Sequence, residues 1–358
     1  MTAFTPHIVV SISGHGYGHV AQTAPILNAL LERMPQLRLT LRSAVPLDYL
    51  RSRILVPFVH LPSEGDIGMV MTSALDIDVE ASRAAYSRFH VDWDERIAIE
   101  AALLRKIGAD MVFSNVGYLP LLGAQRAGIP NAALCSLNWS DIYRRYCGDD
   151  AIAAQIQTAY ASADAFLRTT PGMAMSDLSN LIPVAPIAAV GVNRRDELND
   201  NLSLSKEEKL VLVSMGGIAS RLPIERWSRI EGVRWLVQAD WQVEHPDAIV
   251  LESLGMKFGD LLSSCDALLC KPGYGSFAEA ACSGTPVLYV NRPDWPEAPA
   301  LVEWMGQHGA CREVTRPQLE DGDFAGELSA LISTPHPAPP LPTGAREVAD
   351  WLMRKLES

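Results

Sequence analysis

The chain has 358 residues, more than one core usually holds, so two domains of ordinary size are expected. With 48% hydrophobic and 20% charged residues, the composition is globular, not disordered. A formal net charge of −12 and a pI near 5.1 argue against a general nucleic-acid or anionic-membrane partner, since both need clustered Lys and Arg.

The N-terminal residues lack the basic start of a leader, and no apolar run approaches the ~20 residues that span a bilayer. The six cysteines form no C-x-x-C pair, which fits reduced thiols better than a disulfide framework or a zinc site. The expectation is a soluble, cytoplasmic protein without a metal.

His7 to Ser13 reads as a first strand, running into the turn Gly14-His15-Gly16-Tyr17-Gly18-His19 and then a helical pattern. A glycine-rich strand-to-helix turn is a common ligand-facing feature of open α/β sheets. Its spacing is not G-x-G-x-x-G, and the second strand, Leu39–Ser43, ends without an acidic residue, which disfavours a nicotinamide enzyme. His19 and His15 are candidate general bases, because imidazole titrates nearest neutrality. A polar stretch follows from Ser63 to Asp78, punctuated by Gly65 and Gly68. The spacing of Asp66, Asp76, Asp78, Asp92 and Asp94 matches no calcium loop. Asp66 and Asp94 are candidates for orienting the base.

Met111–Ser114 and Ala132–Cys135 read as further strands. The loop after the second carries Asn138 and Trp139, with Ser140 an acceptable N-cap, and leaves the same end of the sheet as the first glycine turn. Ile187 to Val192 has the length of a last strand of the first half, and the polar stretch 193–209 is the best linker. The domain expectation is therefore 1–192, a linker at 193–209, a second domain at 210–342, and a final helix within 343–358.

The second half opens like the first: a buried strand, Leu210–Met215, delivers Gly216 and Gly217. Later Ala267-Leu268-Leu269 leads into Cys270-Lys271-Pro272-Gly273-Tyr274-Gly275-Ser276. Gly273 and Gly275 allow close backbone approach, and a helix starting near Ser276 aims amides and its positive end at one spot, a place for a phosphate. Ser276 and Glu279 are also spaced as a capping box. Asn291 to Glu297 ends a strand and begins a proline-started helix with acidic first-turn residues, and the proline-rich stretch 335–342 is a stiff spacer before a helix over Ala345–Leu356.

The segment Asp266 to Pro286 resembles the donor-binding segment of GT-B glycosyltransferases. It is similar to the bacterial peptidoglycan N-acetylglucosaminyltransferases and to the glycosyltransferase-like N-terminal region of plant L-arabinokinases. The resemblance returns in Gly14–His19, in Asp66–Asp78 and in Leu137–Tyr143. It implies an α/β fold of two Rossmann-like domains with mostly parallel sheets facing across a cleft, and transfer of a sugar from a nucleotide donor, first a UDP-sugar, to an unknown acceptor. His19 would be the base, with His15 second. Gly16, Gly18, Gly216, Gly217, Lys271, Gly273, Gly275 and Ser276 would face the diphosphate. Glu279 would bind ribose, the segment around Phe258 the base, and Asp294 and Glu297 the sugar. Asp66, Asp94, Asn138 and Trp139 would border the acceptor. Related enzymes place a proline three residues after this histidine, whereas Pro25 lies six after His19. Many retaining members carry two glutamates eight positions apart where this chain has Lys271 and Glu279, which points to inversion. No cofactor or metal is implied. A nucleotide-sugar 2-epimerase, which shares the fold, and a non-catalytic nucleotide-sugar-binding protein are the alternatives. Oligomeric state is left open.

Overall fold

The computed structural model describes residues 5–217 and 221–357, so Ile218, next to the second glycine pair, lies outside the described residues. The chain divides into two compact units: one built from the residues up to Thr72, Asp76–Ile187 and those from Pro342 onward, the other from Ser73–Leu75 and Ala188–Leu341.

In the first unit the order is β1 (His7–Ile12), α1 (Gly18–Arg33), β2 (Arg38–Ser43), α2 (Leu47–Arg53), β3 (Val59–Leu61), α3 (Val79–Phe89) and α4 (Trp93–Ile107). It continues with β4 (Met111–Asn115), α5 (Leu119–Ala127), β5 (Asn131–Cys135), α6 (Trp139–Cys147), α7 (Ala151–Ala161), β6 (Ala165–Thr169) and β7 (Leu181–Val184). These strands form one parallel sheet in the order β3-β2-β1-β4-β5-β6-β7. Every residue of β1 is buried, as expected of a strand covered on both faces, and each Val or Ile so buried contributes ~1.5–3 kcal/mol.

The second unit runs α8 (Arg195–Leu202), β8 (Lys209–Ser214), β9 (Val233–Val237), β10 (Ala248–Val250), α9 (Phe258–Ser264), β11 (Ala267–Cys270) and α10 (Tyr274–Ser283). Then come β12 (Val287–Val290), α11 (Ala298–His308), β13 (Cys311–Val314), α12 (Arg316–Asp321) and α13 (Ala325–Ser333). Its sheet is also parallel, in the order β10-β9-β8-β11-β12-β13. The last helix, α14 (Gly344–Glu357), belongs to the first unit: Gly344 N donates to Pro186 O at 3.1 Å, Glu347 accepts from Ala185 N at 3.0 Å, and Asp350 pairs with Arg33 of α1.

Both sheets reverse strand order once, between β1 and β4 in the first and between β8 and β11 in the second. Loops diverge at such a point and leave a crevice beyond the carboxyl ends of the strands. The glycine turns sit there, with Gly16 at φ 85° and Gly216 at φ 84°, a conformation in which a Cβ would be strained.

Three local expectations are corrected. Ile187–Val192 is not a strand: at its end Val192 N donates to the Asp260 side chain of α9, and Gly191 lies so close to the Gly259 backbone that a Cβ would not fit. The stretch 193–209 is no bare linker, since it contains α8, tied down by the ion pair of Arg195 with Asp266. Ser276 is not an N-cap: Gly273 takes that position in extended conformation, placing Ser276 inside the first turn of α10, so the Ser276–Glu279 spacing is not a capping box.

Candidate functional site

At the first switch point, α1 begins at Gly18, which puts His19 in its first turn, and Pro25 falls inside the helix. His19 is buried, and its Nδ1 lies 2.9 Å from Asn115 Oδ1 at the end of β4. Asn115 Nδ2 is turned toward His19 O at 3.3 Å and Gln22 Oε1 at 3.2 Å, both acceptors. The amide oxygen therefore faces Nδ1, which must carry the proton, and the lone pair is on Nε2. Burial pushes the His19 pKa down to about 4, against the opposing effect of the Asn115 hydrogen bond, so the ring is neutral at pH 7.

A second group adjoins it. Asp66 Oδ1 accepts from Ser13 Oγ at 2.8 Å and Oδ2 from Trp139 Nε1 at 2.9 Å. Burial lifts its carboxyl to about 6, although both hydrogen bonds favour the ionised form. Trp139, fully buried, stands edge-on to His15 at 5.0 Å between ring centroids and lies 5.9 Å from His19. His15 rests on Gly68, where a Cβ would come within 2.8 Å of the imidazole. The polar loop from Ser63 is thereby fitted to the glycine turn.

His15, His19, Asp66 and Trp139 are thus brought together. Asn138 adjoins them but uses its side chain locally: Oδ1 caps α6 by accepting from Asp141 N at 2.8 Å, the role expected of Ser140, and Nδ2 donates to Asp141. Asp94 is exposed in the first turn of α4 and does not join the group. Asn115, not anticipated from sequence, holds the central hydrogen bond. Gly16 and Gly18 shape the turn between β1 and α1.

At the second switch point Lys271, directly after β11, lies along Gly216 and Gly273: its Nζ is 3.9 Å and 3.7 Å from where their Cβ atoms would be. Burial, with the Arg292 charge adding to it and Glu297 opposing, lowers its pKa to about 8, which leaves the ammonium charged at pH 7. Gly217 follows Gly216, while Gly275 and Ser276 lie in the first turn of α10. Glu279, about one turn further on, is buried. Past β12, Arg292 is buried with its guanidinium 4.7 Å above the Trp295 ring, and Trp295 Nε1 donates to buried Glu297 at 3.1 Å. Asp294 is exposed, and Phe258 opens α9 half-buried. Among the described residues no group of three or more His, Cys, Asp or Glu is placed to hold a metal ion, and no helix is long and apolar enough to cross a membrane.

Two parallel sheets, each with a glycine turn at its switch point, match the GT-B fold in solved structures. The kitacinnamycin glycotransferase superposes with a TM-score of 0.60 at 16% identity, covering 98% of this chain and 95% of that one. A UDP-glucose:anthocyanidin 3-O-glucosyltransferase in complex with UDP gives 0.57 at 14% identity, covering 99% of each. Among curated proteins, L-arabinokinase of Arabidopsis thaliana is 24% identical over 343 residues, 93% of this chain. The chain spans 33% of that protein's length. No family model matches the chain.

Proposed function

We propose that the protein is a glycosyltransferase that moves a sugar from a nucleoside-diphosphate donor, UDP-linked in the first instance, to a hydroxyl acceptor by metal-independent inversion. The observation that carries this reading is Lys271 laid along Gly216 and Gly273 at the second switch point, beside the start of α10. A charged ammonium, glycine backbone open to close approach and a helix N-terminus together suit a diphosphate. The solved relative that holds UDP supports the choice of uridine.

In this mechanism His19 Nε2 takes the acceptor proton while the hydroxyl oxygen attacks the anomeric carbon. An alcohol is far too weak an acid to lose its proton beforehand, so proton transfer accompanies formation of the new C–O bond. The bond from the anomeric carbon to the diphosphate oxygen breaks, and its electron pair leaves with the diphosphate, whose growing charge Lys271 and the first-turn amides of α10 stabilise. Removing one such preorganised donor costs ~3 kcal/mol in enzymes that use them.

The test is melting temperature with UDP, GDP and dTDP. A ligand that binds only the native state at a hundredfold excess over its Kd adds ~2.7 kcal/mol, a rise of several degrees. No rise with any of the three would refute the reading. Incubation with donor alone then separates transfer from 2-epimerisation: an epimerised sugar formed without acceptor would favour the epimerase.

A further inference from the structure

The tautomer that makes His19 a base is not held by Asn115 alone. His19 and Gln22 stand three positions apart in α1, so their side chains leave the same face of the helix. Gln22 is 2% exposed, and both Asn115, at the end of β4, and Ser136, directly after β5, are fully buried. Together the four residues make one chain of hydrogen bonds. Gln22 Nε2 donates to Ser136 Oγ at 2.9 Å, Asn115 Nδ2 donates to Gln22 Oε1 at 3.2 Å, and His19 Nδ1 donates to Asn115 Oδ1 at 2.9 Å.

The two ends of an asparagine amide have nearly the same shape, so its partners alone decide which end faces the imidazole. Turned over, Asn115 would offer an N–H to Nδ1. That nitrogen would then be the unprotonated one, and Nε2 would carry the proton and be no base. Among the described residues two acceptors oppose the turn. One is His19 O, which lies at 3.3 Å and already accepts from Thr23 Oγ1 at 2.8 Å, and the other is Gln22 Oε1. Turning the amide over would set oxygen against oxygen at both, in a buried site where an unmet polar group is costly. The other polar neighbour of His19 Nδ1, Cys135 Sγ at 3.7 Å, is too weak an acceptor to set the tautomer.

We propose that Gln22 is a positioning residue for the base: its side-chain carbonyl keeps the Asn115 amide oxygen on His19 Nδ1 and so keeps the lone pair on Nε2. Its use in catalysis rests on the reading of His19 given above, whereas the tautomer itself can be read without substrate.

The experiment records the imidazole nitrogens of 15N-histidine-labelled, ligand-free protein by NMR at pH 7, where the His19 ring is neutral, in wild type, Gln22→Met and Gln22→Glu. His19→Gln identifies the signals, and far-UV circular dichroism with the melting temperature establishes that each variant folds. Wild type should show a protonated Nδ1 and a bare Nε2. Methionine fills a similar volume without a carbonyl, so Gln22→Met should shift the tautomer ratio toward Nε2–H about tenfold or more, moving the two ring signals toward one another. Glutamate, charged or protonated, keeps an acceptor for Asn115 Nδ2 and a hydrogen-bonding oxygen for Ser136, so Gln22→Glu should retain the wild-type signals. An unchanged tautomer in Gln22→Met, or a protonated Nε2 in wild type, would overturn the proposal. Gln22→Met should also keep the wild-type rise in melting temperature with UDP. If wild type itself responds to no nucleotide, the transferase reading falls, while the ring signals still decide what Gln22 does.

Discussion

The two switch points share a strand order and differ in chemistry. At the first, the polar groups are a neutral imidazole oriented by an amide and a carboxyl group lifted to about 6. At the second, a half-buried ammonium lies along glycine backbone and a buried guanidinium is stacked on Trp295. Topology makes an opening at the carboxyl edge of each sheet, and side chains decide whether it suits a proton transfer or an anion. The contrast predicts that damage to one switch point leaves the other's task intact.

The largest effect is expected from crossing the two. His19→Ala should lower turnover by about 10²- to 10⁴-fold, the usual worth of a general base, while the melting-temperature response to UDP is kept. Lys271→Ala should weaken that response about tenfold or more in affinity. If His19→Ala abolishes UDP binding, the division of labour is wrong.

A second, smaller effect sharpens the first switch point. A carboxylate in place of the Asn115 amide would stabilise the imidazolium, so Asn115→Asp should move the acid limb of the rate profile upward by at least one pH unit. An unmoved limb would mean that His19 is not the titrating base. Stability gives an independent reading. The His19 pKa is about 4 in the folded state and 6.5 as a free side chain, so its contribution is complete above pH 6.5 and is lost as pH falls toward 4, ~3 kcal/mol in all. Asp66 runs the other way: its folded value of about 6 lies above the 3.8 of a free side chain, so its contribution is present below 3.8 and is lost as pH rises through 6. His19→Gln should therefore gain melting temperature relative to wild type on going from pH 6.5 to 4, as the Asp66 slope is left alone.

The smallest effect concerns Asn138, whose side chain caps α6. Asn138→Ala should cost ~1 kcal/mol, a fall of ~2–4 °C in melting temperature, with little change in UDP binding.

Much of this contrast was legible in the sequence. Glycine turns directly after apolar runs locate both switch points, since parallel strands bury both faces and read as continuous hydrophobic stretches. His19 and Lys271 stand out because each adjoins such a turn. Asn115 does not, because it meets His19 through a sheet pairing 96 positions away and an asparagine at a strand end carries no local signal. Ser276 misled because spacing alone cannot show that the backbone enters the helix three residues earlier, at a glycine with no side chain to cap it.

The final helix has a consequence for how the molecule is made. Because α14 completes the unit that begins with β1, ribosomal synthesis delivers nearly all of that unit early and its closing piece last, after the whole of the second sheet has emerged. A gene cut near residue 190 would leave the earlier fragment with the α14-facing side of α1 uncovered, and refolding it should require α14 to be supplied as a peptide or a fusion.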